Sequence, residues 1–308
     1  MPFFSGYLCG VAVHTEVPFP EMVSAEVVPE VVIRRGTVVI PPDACCEEYP
    51  DIGLRRLSLA GKFYLEWEAS GPVCATDGCE LRVDPSVNLD DPVERAFILT
   101  MGLGMLLHQR GRLILHACAV QIGKRSAGFL GVSGAGKSTL AWALYARGYP
   151  LVSEDFLQIG FDLTGVARIY PALPTVRLLP DAVDYFRRHG PMPNATAFNG
   201  EKQYLPVDRL LSEPMPLSQL YLLEDGPELT LTPISPKGAF LGCMYHAFFG
   251  TFAHRNGRGD DHFRRCAQLA RQIPFFRLTR PRGDHSMPDV IAAIEKAISS
   301  DTPVGVGL

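Results

Sequence analysis

The feature that most constrains this chain is the stretch Gly131-Val132-Ser133-Gly134-Ala135-Gly136-Lys137-Ser138, which fits G-x-x-x-x-G-K-S/T at every fixed position. An apolar strand-like run, Ala127 to Val132, precedes it. An Ala/Leu-rich helical run, Lys137 to Arg147, follows and stops at Gly148. The glycines permit a tight curve that turns several backbone N–H groups inward, and the helix start adds its positive dipole end. Lys137 is placed to reach β- and γ-phosphates, and the Ser138 hydroxyl to ligate Mg²⁺. The nucleotide-binding set expected from this loop is Gly131, Ser133, Gly134, Ala135, Gly136, Lys137, Ser138 and Thr139. The motif says nothing of what happens to the γ-phosphate, and nothing in it selects adenine.

Around this motif the order strand, loop, helix, strand predicts an α/β core with helices on its faces. A helix is expected to start at Asp91-Pro92-Val93-Glu94 and to run through His108, with Gly111 ending it. Arg112 to Val120 reads as one strand and Gln121 to Ser126 as a turn. Strands are also expected at Leu151-Val152, Leu220–Leu223 and Phe275–Leu278, and helices over Asp261–Gln272 and Met287–Ile298. Pro191 to Pro216, rich in Pro, Asn and Gly, reads as a mobile excursion, and His254 to Asp261 as a polar loop.

The first ~90 residues are β-rich and carry no chemistry motif. Val31 to Ile40 suggests two strands about Gly36, and Phe63–Glu68 a half-buried strand with Cys79–Val83 as its hairpin partner. Three segments follow: a β-rich domain over 1–90 that could dock a substrate, a catalytic domain over 91–300, and a flexible tail over 301–308.

Composition narrows the function classes. The chain has 308 residues, 47% hydrophobic and 20% charged, which excludes a disordered chain or a coiled coil. The net charge of −4 gives no general basic field for nucleic acid. No apolar run reaches about 18 residues; the nearest, Ala96–Leu107, is too short to cross a membrane. The N-terminus lacks the positive region of a secretory signal. The eight cysteines have irregular spacing and no CxxC, so free thiols in a cytoplasmic protein are expected. A local Cys74–Cys79 bridge or metal pair is the alternative.

Phosphoryl transfer needs an acid to hold metal or to accept the nucleophile's proton. Two pairs qualify: Glu154-Asp155 at the end of the strand after the motif helix, and Glu224-Asp225 after Leu220–Leu223. The first is favoured if its strand neighbours the motif strand.

Taken together, Leu115-His116-Ala117-Cys118-Ala119-Val120, Gly131–Leu140 and Gly148–Asp155 resemble the C-terminal catalytic domain of the HPr kinase/phosphorylase family. Tyr170–Leu178, Glu201–Pro206 and Ile273–Leu278 resemble more closely the HPr kinase-like proteins of ribosomal-peptide clusters, including the lasso-peptide kinases. The resemblance covers roughly residues 95 to 298. It implies an HPr kinase/PEP carboxykinase-like fold, with a mixed sheet flanked by helices, behind a small β-rich N-terminal domain. It also implies ATP and Mg²⁺, with catalytic roles for His116, Lys137, Glu154, Asp155 and Arg177, metal roles for Ser138 and Asp155, and nucleotide contact for Lys202. Glu stands at the first of two family aspartates, which leaves open which of Glu154 and Asp155 is the base. Where the family carries Glu-x-Arg-Gly, this chain reads Thr175-Val176-Arg177-Leu178, keeping the Arg but neither Glu nor Gly. That counts against HPr itself as acceptor and against phosphorolysis.

The leading expectation is a kinase phosphorylating a Ser hydroxyl of a peptide or protein, such as a lasso-type precursor. A metabolite kinase with a lid at Arg255–Arg258 and a non-catalytic nucleotide-sensing module are the alternatives. A homo-oligomer is compatible with the resemblance. No Leu-Ser-Gly-Gly-Gln stretch exists, which disfavours a transporter-type ATPase.

Overall fold

Gly102 marks where the first part of the chain packs an apolar helical run onto a sheet: a Cβ there would meet Val73 at 3.4 Å and Leu81 at 3.7 Å. The computed structural model describes residues 3–68, 70–255, 259–281 and 287–300. The expected tail after residue 300, and residues 256–258 of the expected polar loop, lie outside them. The chain divides into two units, 1–112 with 249–262, and 113–248 with 263–308.

In the first unit nine strands form one sheet, in the order Val23–Ser24, Phe4–Leu8, Val11–Thr15, Val31–Arg35, Glu80–Val83, Pro72–Thr76, Lys62–Trp67, Leu54–Leu59, Cys45–Tyr49. Asp91 caps the helix Pro92–Phe97, its carboxylate accepting from Val93 N at 2.7 Å and Glu94 N at 3.2 Å. A wide π-turn over Ile98–Gly102 leads into Leu103–Gln109. Gln109 ties this helix to the sheet, donating to Gly61 O at 2.8 Å and accepting from Gly78 N at 2.9 Å. The helical run from Pro92 therefore belongs to the β-rich unit.

Two local expectations need correction here. Only Val31–Arg35 is a strand; residues 36–40 are not, because Gly36 N bonds Val83 O and Val38 N bonds the Asp84 carboxylate at 2.8 Å. The hairpin partner of Glu80–Val83 is Pro72–Thr76, not Phe63–Glu68, because Asp77 and Gly78, at φ 50° and 69°, form the turn between them.

The second unit is mixed α/β. Its six-stranded sheet runs Leu151–Ser153, Ala117–Ile122, Arg125–Leu130, Gln219–Asp225, Phe275–Arg280, Thr230–Pro233. Arg125–Leu130, Gln219–Asp225 and Phe275–Arg280 are mutually parallel, and the other joins are antiparallel. The helix Lys137–Ala146 and the helix Met287–Ser299 cover one face, where Phe129, Leu140, Leu144, Tyr221, Ile291 and Ile294 are buried together. On the other face Leu130, Leu220, Ala239, Cys243, Cys266 and Leu269 form a second core with Pro236–His246 and Gly259–Gln272. The ten-residue helix after the motif is too short to persist alone. Six of its residues from Leu140 to Tyr145 are buried, so packing on nearly every side holds it.

Three expectations about this unit are corrected. Arg112–Val120 is not one strand: Leu113–Leu115 and Ala117–Ile122 enter different sheets, and the break is His116, whose N–H donates to His246 O at 2.8 Å. Pro191–Pro216 is not an unpaired excursion: Lys202–Pro206 pairs with both Ala197–Asn199 and Thr175–Leu178, burying Tyr204 and Leu205. His254 and Arg255 close a helix, Gly250–Arg255, and the next helix starts at Gly259.

None of the eight cysteines, all of them among the described residues, is in a disulfide. Cys79 Sγ points at Thr76 O and Cys74 Sγ lies 3.7 Å from Thr76 Oγ1, so the two do not bridge. Among the described residues no helix is long and apolar enough to cross a membrane.

Candidate active site

The strand Leu151–Ser153 is antiparallel to Ala117–Ile122, which is antiparallel to Arg125–Leu130. The strands carrying Glu154 and Gly131 thus run in the same direction, one strand apart, and deliver both residues to one sheet edge. The condition that the two strands be direct neighbours is not met, since Ala117–Ile122 lies between them, yet the acid pair still reaches the loop. Gln219–Asp225 ends at that edge too, bringing Asp225.

The loop itself depends on two glycines. Gly134 and Gly136 sit at φ 79° and 81°, a region other residues enter at a cost. A Cβ on Gly136 would also lie 2.4 Å from Arg280 Nη2, which donates to Ala135 O at 2.8 Å. Lys137 is 5% exposed and donates to Gly131 O at 2.9 Å and Val132 O at 3.2 Å. Burial holds its pKa below that of an ordinary lysine, and nearby Asp155 and Glu154 offset only part of this.

The acid pair is held by a tight turn. Ser153 Oγ donates to Phe156 O at 2.6 Å, Phe156 N donates to Glu154 O, and Asp155 sits at φ 62°, which Asp tolerates better than most residues. The turn sends the two carboxylates to different partners. Glu154 Oε1 accepts from Ser138 Oγ at 2.7 Å, and its Oε2 accepts from Arg177 Nε at 2.9 Å. Asp155 accepts from the other arm of Arg177 and, at 2.5 Å, pairs with His116 Nε2. A continuous polar chain therefore runs Ser138, Glu154, Arg177, Asp155, His116.

Charge separates the two acids. Burial pushes the Glu154 carboxyl above the usual range, and Arg177 lowers it only in part. Asp155 is also desolvated, but Arg177 and His116 outweigh this and hold it well below the usual range. Desolvation opposes the charge on Arg177, but Glu154 and Asp155 together raise its pKa further.

Of the residues expected from sequence, His116, Ser133, Gly134, Ala135, Gly136, Lys137, Ser138, Thr139, Asp155, Arg177 and Lys202 line one cavity of about 550 Å³. Glu154 stands behind it, 5% exposed at its side chain. Gly131 lines a neighbouring cavity. The competing pair divides: Glu224 faces Arg277 at 3.0 Å, whereas Asp225 lines the loop cavity. Sequence reasoning missed Asp181 and Arg280, which line the same cavity. The signal for Arg280 was its place at the end of a strand parallel to Gln219–Asp225; for Asp181 there was none, since it opens a helix after Pro180.

The donor set fits a nucleoside polyphosphate with Mg²⁺. The cavity carries Lys137, Lys202 and Arg280 as cations, a glycine loop opening onto a helix N-terminus, and a hydroxyl already bonded to a carboxylate. Among the described residues no group of three or more His, Cys, Asp or Glu gathers to hold a metal by itself. Mg²⁺ shared between phosphates and one or two protein groups needs no such group.

No protein-family model matches this chain, and no curated protein matches it in sequence. Structural comparison finds similarity to the Hpr(Ser) kinase/phosphatase from Coxiella burnetii, at 15% identity and a TM-score of 0.31, over 60% of this chain and 94% of that one.

Proposed function

We propose that this protein is an ATP-dependent kinase that phosphorylates a Ser hydroxyl of a peptide or protein, a lasso-type precursor peptide being one candidate acceptor. The observation that carries this reading is the polar chain from Ser138 to His116, which brings an acid pair to the mouth of a glycine loop. Phosphates would lie on the N–H groups of Ser133–Thr139, with Lys137, Lys202 and Arg280 offsetting their charge. Mg²⁺ would be held by Ser138 and an acid of the pair, and would neutralise charge between β- and γ-phosphates.

Asp155 faces the cavity and Glu154 is turned toward Ser138, which supports giving the base to Asp155. Asp155 takes the acceptor hydroxyl's proton, with His116 at its other oxygen. The acceptor oxygen forms its bond to the γ-phosphorus as the bond to the β-phosphate oxygen breaks, and ADP leaves. Glu154 orients Ser138. Arg177 holds both carboxylates in place, and positioning supplies most of the acceleration. The free thiols are consistent with a cytoplasmic protein.

The test is transfer from labelled ATP–Mg²⁺ to Ser-, Thr- and Tyr-containing peptides, read by intact mass, with Lys137→Ala as control. One added phosphate on a Ser peptide, lost in the variant, supports the reading. Full activity in Lys137→Ala would overturn it. Nucleotide binding without transfer to any peptide would favour a metabolite kinase or a nucleotide sensor instead.

A further inference from the structure

On the outer side of the loop lies a second cavity of about 1010 Å³. It is unlike the first. Its walls include Val132, Leu241, Met244 and Tyr245, and Val132, Leu241 and Tyr245 are 55%, 55% and 75% exposed. Such exposure of large apolar groups around one concavity marks a surface that is covered in use.

Glu224, Asp225 and His246 interrupt the apolar wall. His246 is 7% exposed and lines the cavity, yet its imidazole makes no hydrogen bond among the described residues. His246 lines the cavity, where a ligand group can hydrogen-bond its ring. Burial, with Lys137 and His116 nearby, lowers its pKa to about 4, so near neutral pH the ring is uncharged and offers one donor and one acceptor.

The position of the cavity selects its occupant. Lys137, the residue suited to terminal phosphates, bonds the carbonyls of Gly131 and Val132, both of which line this cavity. The chain at His246 is joined to the chain at His116, the end of the polar relay. The cavity therefore abuts the phosphoryl-transfer end of the site, where an acceptor must enter. Leu179 and Met287 line the loop cavity and not this one, and that side is left for the nucleoside.

We propose that this cavity binds the acceptor: a peptide segment carrying large apolar side chains next to the hydroxyl, with His246 hydrogen-bonding its backbone. The proposal rests on the kinase reading for the hydroxyl's fate, and on the cavity alone for binding.

The test uses two fluorescein-labelled peptides, one with Ser between Phe and Leu, the other with Ser between Gly and Gln. A Cβ at Gly242, on the cavity wall, meets nothing within 4 Å, so Gly242→Phe has room for its first carbon and puts a bulky ring at that wall. Wild-type protein should bind the apolar peptide at least tenfold more tightly by fluorescence polarisation. Gly242→Phe should abolish that preference while the affinity for a fluorescent ATP analogue stays within twofold. Tyr245→Ala, at an exposed position, should weaken it too, and His246→Gln, which keeps a donor and an acceptor, should retain more binding than His246→Ala. Equal binding of both peptides by wild type overturns the proposal. So does an equal loss of nucleotide affinity in Gly242→Phe, which would make the cavity a nucleoside subsite. Apolar-peptide binding without phosphorylation refutes the kinase reading and leaves the cavity assignment standing. Phosphorylation with no flank preference does the reverse.

Discussion

Arg177 donates Nε to Glu154 at 2.9 Å and its Nη2 to Asp155, so one guanidinium bridges two adjacent carboxylates. All three side chains are largely buried, at 22%, 5% and 24% exposure. Removing the cation leaves two like charges facing each other away from water. Breaking a buried pair from one side costs about 3–5 kcal/mol. Arg177→Gln should lower stability by about 3 kcal/mol, read as a fall in Tm of roughly 6–12 °C. Arg177→Lys should recover part of the loss, because a point charge cannot serve both carboxylates as the planar fork does. A Tm within 1–2 °C of wild type in Arg177→Gln would mean that the pair is already protonated or hydrated.

The two acids should separate in their kinetics. Asp155, facing the cavity and held ionised by Arg177 and His116, is assigned the proton. Asp155→Asn should reduce transfer by about 10²–10⁴-fold, with nucleotide affinity changed only a few-fold. Glu154 touches Ser138 rather than the cavity. Glu154→Gln should instead raise the Mg²⁺ concentration needed for half-maximal activity. If both variants shift the Mg²⁺ requirement and neither lowers the maximal rate, the assignment of the base to Asp155 falls.

How much of this was legible in the chain depends on sequence separation. The loop from Gly131 to Ser138 is local, and its strand and helix are its immediate neighbours, so spacing alone exposes it. Glu154 and Asp155 follow the motif helix closely enough to be found by counting one strand onward. Arg177 and Lys202 became visible only through resemblance, because what brings them together is the pairing of Thr175–Leu178 with Lys202–Pro206 across a Pro- and Asn-rich stretch. Composition there reads as loop, while the buried Tyr204 and Leu205 make it a strand. The break at His116 was invisible for a similar reason. Leu113 to Val120 is uniformly apolar apart from His116, and what interrupts it is His246, 130 positions away. His246 itself carries no local signal, since a lone histidine near a helix end is ordinary.

Thiol reactivity offers a check on the β-rich unit and both cores at once. Cys45 and Cys79 are exposed and Cys46 is partly so, whereas Cys9, Cys74, Cys118, Cys243 and Cys266 are buried. Burial pushes Cys9 and Cys266 up to about 12 and also raises Cys74, Cys118 and Cys243. Because the thiolate is the reactive form, a native titration with a disulfide reagent at pH 8 should show two to three fast thiols and five that react only on unfolding. Fast modification of a fourth or fifth thiol would show that one of the cores opens readily.

His246 sets a pH dependence whose sign follows from its burial. Its folded pKa is lowered to about 4 by desolvation, with Lys137 and His116 adding to the effect, against an ordinary value of 6.5. Above pH 6.5 the ring is neutral in both folded and unfolded chains and costs nothing. Between 6.5 and 4 the unfolded chain binds a proton that the folded chain refuses, so stability falls as pH falls. His246→Gln cannot titrate and should lack this component, although the carboxylates keep contributing to acid sensitivity in both proteins. Thermal melts from pH 7.5 to 4.5 should therefore show the Tm of wild type falling faster than that of His246→Gln, with the gap between them opening below about pH 6.5. Parallel curves over that range would mean that the imidazole is protonated in the folded protein. It would then sit in water or against an acid rather than in the apolar wall of the outer cavity.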